Sequence, residues 1–215
     1  MSISDNLQKI QKSIPNNVTL VAVSKTKPID CILEAYEAGH KIFGENKVQE
    51  MTQKADLLPK DIEWHMIGHL QTNKVKFIAP FVSLIHSVDS EKLLKEINKR
   101  ATQNNRVIDC LLQFHIAEES SKFGLNEEEA KKILENQSNY PNVHIVGFMG
   151  MATFTSDKEQ IKKEFSSLHT IYKQVQKDYP KLKILSIGMS SDYPIAIDGG
   201  SNMIRVGSAI FGARQ

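Results

Sequence analysis

Short apolar runs alternate with longer amphipathic segments along the whole chain. The amphipathic segments repeat apolar residues at i, i+3 and i+4, as at Ile161, Phe165 and Leu168, and this spacing is typical of helices. Another amphipathic helix is predicted over about residues 3 to 14, ahead of the first apolar run. The apolar runs are typical of strands, and there are eight: TLVAVSK, KIFGEN, IEWHMIG, LIHSVDS, RVIDCLLQFHIA, VHIVGFMGMA, KILSIGMS and MIRVG.

This alternation predicts a parallel α/β sheet, because each return to a parallel neighbour needs a crossover segment. Eight strand–helix units in 215 residues predict a single domain over residues 1–215, folded as a (β/α)8 TIM barrel. The alternative is an open doubly wound sheet. That fold would place a G-x-G-x-x-G segment after the first strand, and the sequence instead concentrates its glycines in the last two units.

Charge and cysteine usage narrow the classes of partner and compartment. The net charge is only +2, with lysines and acids interspersed, so we expect neither nucleic acid nor an anionic membrane as a partner. Cys31 and Cys110 lie in predicted regular elements without paired spacing, which is typical of a reducing compartment. The sequence also lacks a run of about eighteen apolar residues. We therefore expect a cytoplasmic protein.

The C-terminal ends of the predicted strands carry the candidate chemistry, because active sites of such barrels lie at that face. Lys25 ends the first strand behind the segment VAVS, whose desolvating effect would lower the lysine pKa and favour the nucleophilic amine. The seventh strand leads into Ser190 and Ser191, and the eighth into Gly207 and Ser208. Hydroxyl donors, glycine backbone and helix N-termini at these two strands are typical of a phosphate monoester site.

A lysine across the barrel mouth from a phosphate site suits a ligand with an aldehyde at one end and a phosphate at the other. Pyridoxal 5′-phosphate (PLP) is such a ligand. Arg205 is expected to point inward from the eighth strand and to face the pyridine ring. Since a guanidinium can only donate hydrogen bonds, it would leave the ring nitrogen unprotonated and weaken the ring as an electron sink.

Seven segments together resemble the pyridoxal phosphate homeostasis proteins across nearly the whole chain: VAVSKTKP, FGEN with VQE, WHMIGHLQTNK, SVD, ESSKFG, SIGMSSDYPIAIDGGS and IRVGSAIFGAR. The resemblance implies a barrel of the alanine racemase type, PLP fold type III. It also implies that PLP is held as a Schiff base on Lys25, with Arg205 as the partner of the pyridine nitrogen. Asn46 would lie near the ring, with Met151 and Met189 as walls. The resemblance further implies that Ser190, Ser191, Gly207 and Ser208 bind the phosphate of PLP.

The implied role is intracellular PLP homeostasis, in which the protein buffers or delivers PLP without a known catalytic reaction. The expected partners are PLP and PLP-dependent apo-enzymes, and the expected state is a monomer. Two positions depart from the usual pattern of the family: Lys47 stands where tyrosine commonly follows GEN, and His115 stands where asparagine is usual. Both departures concern the pocket rim. Lys122, in ESSKFG, is a further lysine predicted at the mouth.

Two other function classes fit parts of the pattern. A PLP-dependent amino-acid racemase needs an acid/base on each face of the cofactor, and the racemases take the second base, a tyrosine, from a separate C-terminal domain that we expect this chain to lack. Tyr193 is predicted at the mouth but does not resemble that base. A cofactor-free barrel aldolase is disfavoured by Arg205 and by the strand-one position of the lysine. His65 and His69 flank a strand end, where their spacing does not favour a metal site.

Overall fold

The computed structural model describes residues 2–118 and 123–212. Its eight strands pair in parallel and in sequence order, and β8 pairs with β1, so the sheet closes into the predicted (β/α)8 barrel. Each of the eight apolar runs contains one strand, because strands buried on both faces are apolar throughout. The strands are β1 Thr19–Val23, β2 Ile42–Glu45, β3 Glu63–Met66, β4 Leu84–Val88, β5 Ile108–Phe114, β6 Val143–Gly150, β7 Ile184–Met189 and β8 Met203–Val206.

Helices cover the outside of the barrel. A capping box at Ser2, with Asp5 as its second member, starts the first helix, whose apolar face buries Leu7 and Ile10. None of the described helices combines the length and the apolar composition needed to cross a bilayer. The α-helices are α1 Ile3–Ser13, α2 Ile29–Glu37, α3 Val48–Leu57, α4 Val75–Ile78, α5 Glu91–Gln103, α6 Glu127–Glu135, α7 Lys158–Asp178, α8 Tyr193–Asp198 and α9 Ser208–Phe211.

The core has two layers, because successive strand residues point alternately outward to the helices and inward to the barrel axis. In β8, Ile204 and Val206 belong to the large cluster between sheet and helices, whereas Met203 belongs to the small interior cluster. Arg205 shares the inward parity of Met203 and is also buried. The interior therefore holds polar as well as apolar side chains, and Arg205 lies below the face formed by the carboxyl ends of the strands.

Strand pairing brings the two ends of the barrel sequence together at the mouth. In the register between β1 and β8, Val21 lies opposite Arg205 and Ala22 lies opposite Val206. The segments that follow these two strands therefore leave the sheet side by side. Gly188, near the end of β7, has φ of 96°, and a Cβ there would lie 2.6 Å from Ala196 Cβ, so only glycine lets β7 turn directly into α8.

Candidate functional site

The carboxyl ends of the strands surround an open pocket of about 620 Å³. Its walls come from the ends of β1, β2, β3, β6, β7 and β8, so distant parts of the sequence meet in one place. The pocket is lined by all eight residues that the sequence analysis assigned to cofactor binding: Lys25, Asn46, Met189, Ser190, Ser191, Arg205, Gly207 and Ser208.

Lys25 lies on the β1 side of this pocket. It follows Val23 and Ser24, which are buried at the end of the strand, and its own side chain is half-buried in the pocket wall. Lys27 also lines the pocket, but its Nζ donates hydrogen bonds to the carbonyl oxygens of Phe211 and Gly212 at 3.0 and 3.2 Å. The second lysine of VSKTKP therefore anchors the segment that follows α9.

The opposite side of the pocket is built by the turns after β7 and β8. The backbone N–H of Gly207 donates to Ser190 Oγ at 3.0 Å, which joins the two turns and leaves the Ser190 hydroxyl hydrogen available to a ligand. Ser208 begins α9 directly after Gly207. Asp192 occupies the N-cap position of α8, but its side chain makes no cap hydrogen bond to this helix and instead accepts from the N–H of Met189.

Arg205 forms part of the pocket floor and is held from within the barrel. Its Nη1 donates to the carbonyl and the hydroxyl oxygens of Ser186 at 2.8 and 2.6 Å, and its Nη2 donates to the carbonyl of Gly150 at 3.0 Å. Burial lowers the pKa of Arg205 to about 10, and the carboxylate of Asp192 acts against that effect. The guanidinium therefore remains a cation at neutral pH, in a fixed orientation.

Two histidines continue this hydrogen bonding into the interior. His86 Nδ1 lies 3.1 Å from Ser186 Oγ, and His86 Nε2 lies 3.0 Å from His65 Nδ1. Because Ser186 accepts from Arg205, its own hydrogen can go to His86, and we assign the His86 Nε2–H as the donor to His65. Burial lowers the pKa of His65 to about 3 and that of His86 well below its ordinary value. We call Arg205, Ser186, His86 and His65 the interior chain.

Comparison with known proteins places this barrel in a family. Residues 1–215 match the family described as alanine racemase, N-terminal domain. The pyridoxal phosphate homeostasis proteins of Aquifex aeolicus and Vibrio alginolyticus are each 38% identical to this chain; the first match covers 99% of this chain and 97% of the relative, the second 100% and 98%. This chain belongs to the pyridoxal phosphate homeostasis protein family.

Solved structures agree with this membership. The structure of PipY from Synechococcus elongatus with PLP bound is 34% identical, with a TM-score of 0.91 over 98% of this chain and 100% of PipY. An alanine racemase from Bartonella henselae is 17% identical, with a TM-score of 0.74 over 98% of this chain and 58% of the racemase. The racemase shares the fold alone.

Several other residues considered from the sequence lie away from the pocket of this homeostasis-family protein. The Tyr193 hydroxyl lies 3.4 Å from Ser13 Oγ of α1. Lys47 and His115 are exposed and do not line the pocket. Lys122 falls outside the described residues.

His65 and His69 do not form a metal site together. His65 belongs to the interior chain, whereas His69 pairs with Asp89 at 3.0 Å and stacks on Phe123. Among the residues that the structure describes, no group of three His, Cys, Asp or Glu side chains is arranged to hold a metal ion.

Sequence reasoning missed two groups of residues in this homeostasis-family protein. One is the part of the interior chain behind Arg205. The other is a cluster of the buried Glu45 and Lys54 with the partly exposed Glu50, next to the segment of Lys25. The i, i+4 spacing of Glu50 and Lys54 was the available signal for the second group, but that spacing alone is typical of an exposed helix pair.

Proposed function

We propose that this protein binds PLP in the mouth pocket and that it buffers and delivers PLP in the cell without a catalytic reaction of its own. The observation that carries the proposal is that one pocket joins Lys25, Arg205 and the hydroxyls of Ser190 and Ser208. This set of groups matches the three parts of PLP, namely its aldehyde, its pyridine ring and its phosphate. PipY, which is 34% identical to this chain, has been solved with PLP bound, and this supports PLP as the ligand.

The roles of the residues follow from their chemistry. Lys25 would hold PLP through the cofactor's aldehyde, which supplies an imine link to the lysine amine with loss of one water molecule. Ser190, Ser191 and Ser208 donate hydroxyl hydrogen bonds to the phosphate, together with the backbone of the Gly207 turn. Asn46, Met151 and Met189 bound the ring, and the Arg205 guanidinium donates to the pyridine nitrogen.

The absence of a catalytic reaction is part of this proposal and has its own support. Racemisation needs a second acid/base opposite the lysine. The described residues that line the pocket include no tyrosine, histidine, aspartate or glutamate. The second lysine, Lys27, is held by two backbone carbonyls. The fixed positive charge of Arg205 also disfavours a protonated pyridine nitrogen, so the ring stabilises a carbanion poorly.

The proposal also covers the oligomeric state, the compartment and the recipients of PLP. All the groups assigned to PLP come from one chain, so the proposed site needs no second copy, and the proposed unit is a single-domain monomer over residues 1–215. Cys31 and Cys110 are free thiols, which supports the cytoplasm as the compartment. PLP-dependent apo-enzymes are the proposed recipients, because buffered PLP is useful only where such enzymes acquire their cofactor.

Absorbance and chemical trapping test the proposal. The purified protein incubated with PLP should be yellow, and borohydride should abolish the colour and leave the pyridoxyl label on Lys25. Lys25→Ala should lose the label and keep cooperative unfolding, whereas Lys27→Ala should keep the label on Lys25. A wild-type protein that stays colourless and takes up no PLP would overturn the proposal, and so would a label on another residue.

A further inference from the structure

A largely buried charge cluster lies next to the segment that carries Lys25. Lys54 Nζ, from α3, donates to Glu45 Oε1 at 2.8 Å and to Glu50 Oε1 at 2.6 Å. It also donates to the carbonyl oxygen of Ser24 at 2.8 Å. The side chains of Lys54 and Glu45 are 7% and 0% exposed. We call Glu45, Glu50 and Lys54 the Lys54 cluster.

The Lys54 cluster holds the residues on both sides of Lys25. On one side, the Ser24 hydroxyl donates to Glu45 Oε1 at 2.6 Å. On the other side, the backbone N–H of Thr26 donates to Glu50 Oε1 at 2.6 Å. The carboxylates of Glu45 and Glu50 thus accept hydrogen bonds from the two neighbours of Lys25. These side chains, from β2 and α3, therefore fix the Cα–Cβ direction of the lysine.

The turn that these bonds hold is an unfavourable one. Thr26 has φ of 63°, in the left-handed region that a β-branched residue rarely adopts. Such a conformation persists only where the surroundings enforce it, and it is found most often at functional sites. The bond from Thr26 to Glu50 is a contact that enforces it.

Stability alone does not account for the Lys54 cluster. Charges that are buried together lose their hydration, and well-packed apolar residues of similar volume would serve as well. Burial raises the pKa of Glu45, against the attraction of Lys54. Glu45 Oε2 is buried without a hydrogen-bond partner in the described part of the chain. The cluster therefore carries a cost in free energy that a role at Lys25 would explain.

We propose that Glu45, Glu50 and Lys54 are positioning residues that aim Lys25 into the pocket for its covalent link to PLP. The proposal rests on the proposed function, because it assigns a role only if PLP binds at Lys25. The cluster touches the neighbours of Lys25 and lies apart from the serines at the phosphate end. It should therefore affect the covalent link and leave the non-covalent contacts of the ligand unchanged.

Two ligands separate those effects. PLP can form a Schiff base, whereas pyridoxine 5′-phosphate has the same ring and phosphate but an alcohol in place of the aldehyde. Titrations of full-length Lys54→Met and Glu50→Ala with each ligand, by absorbance and calorimetry, should show PLP bound about tenfold or more weakly and pyridoxine 5′-phosphate bound as in the wild type. Glu50→Gln, which keeps an oxygen acceptor for Thr26 N–H, should recover most of the PLP affinity.

A matched control is the exposed pair of Glu127 and Lys131 on α6, which has the same i, i+4 spacing and a 2.6 Å contact. Lys131→Met should bind both ligands as the wild type does. Circular dichroism establishes whether each variant is folded. If Lys54→Met does not fold, the comparison of Glu50→Ala with Glu50→Gln tests the proposal.

The outcomes divide clearly. Selective loss of PLP binding with recovery in Glu50→Gln supports the positioning role. Equal weakening of both ligands, or unchanged PLP binding in folded Glu50→Ala, overturns it. A wild-type protein that binds pyridoxine 5′-phosphate and PLP equally, with no label on Lys25, overturns the proposed function, and the positioning role falls with it.

Discussion

Arg205 and Ser186 are joined by two hydrogen bonds inside the barrel, in which the Arg205 Nη1 group donates to the Ser186 carbonyl at 2.8 Å and to its hydroxyl at 2.6 Å. One small residue on β7 therefore supports the guanidinium through backbone and side chain together. The hydroxyl also meets His86, so the position of Arg205 depends on groups that never line the pocket.

Removal of the Ser186 hydroxyl should destabilise the protein. In Ser186→Ala, the buried guanidinium loses one charge-assisted bond and His86 loses its neighbour, so the free energy of unfolding should fall by about 1.5–3 kcal/mol. Denaturation in urea measures the change. Ser87 is a matched control, because its buried hydroxyl has no hydrogen-bond partner in the described residues. Ser87→Ala should change stability by less than about 0.5 kcal/mol or increase it, and equal losses in both variants would contradict the role of Ser186.

The phosphate end should dominate the affinity for PLP. Ser190→Ala combined with Ser208→Ala removes charge-assisted hydrogen bonds worth about 1.5–3 kcal/mol each, so PLP should bind more weakly by about a hundredfold or more. Pyridoxal, which lacks the phosphate, should bind the variant and the wild type alike. Equal weakening of the two ligands in equilibrium titrations would show that these serines do not contact the phosphate.

The protein should not exchange the Cα hydrogen of alanine faster than free PLP does. The lining residues described offer no second acid/base, and Arg205 makes the ring a weak electron sink. NMR of PLP-loaded protein with L- or D-alanine in deuterium oxide measures the exchange. Stereospecific exchange well above the free-PLP rate, lost in Lys25→Ala, would instead identify a racemase.

The buried histidines should make stability fall in acid. Burial lowers the pKa of His65 to about 3, whereas the unfolded chain titrates near 6.5. Between these values the unfolded state binds the additional proton, so the stability contribution is complete above about pH 6.5 and is lost as the pH falls toward 3. The expected slope is up to about 1.4 kcal/mol per pH unit for each such histidine.

Urea denaturation at a series of pH values checks this expectation. His65→Asn should flatten the dependence between pH of about 4 and 6. His144→Ala provides the control, since that side chain is 59% exposed beside Asp109 on the outside of the barrel. A slope that is unchanged in His65→Asn would show that His65 is not the group responsible.

The fold was predictable because its information is local. Each buried parallel strand is a short apolar run, each crossover shows helical periodicity, and eight repeats of the pair predict closure. The pocket was predictable for a related reason: once the fold is known, the polar residues after each strand must share one face. This reasoning identified Lys25, Ser190 and Ser208 as neighbours although they are distant in sequence. Their binding of PLP stays a prediction.

The supporting groups were not predictable, because their burial depends on several elements at once. The sequence pattern predicts that Lys54 is a solvent-exposed helix residue, and it is buried only because β1 and β2 approach α3 in the folded structure. Ser186 and His86 lie on different strands and meet only across the barrel axis. Asp192 had the sequence position of a helix cap, but its side chain turns back to Met189 instead. Which hydrogen-bond partner such a side chain takes depends on the donors and acceptors that the folded chain brings close to it.

The pairing of β1 with β8 has a consequence for biosynthesis. The ribosome makes Lys25 well before Arg205 and Ser208, yet the pocket is lined by all three. A nascent chain whose strand β8 is still in the exit tunnel has Lys25 but lacks the part of the pocket that β8 and the turn after it supply. Anything that binds the completed pocket stabilises only the closed ring, since the open chain lacks half of the site. Occupancy of the pocket therefore reports that β8 has paired with β1 and that the barrel has closed.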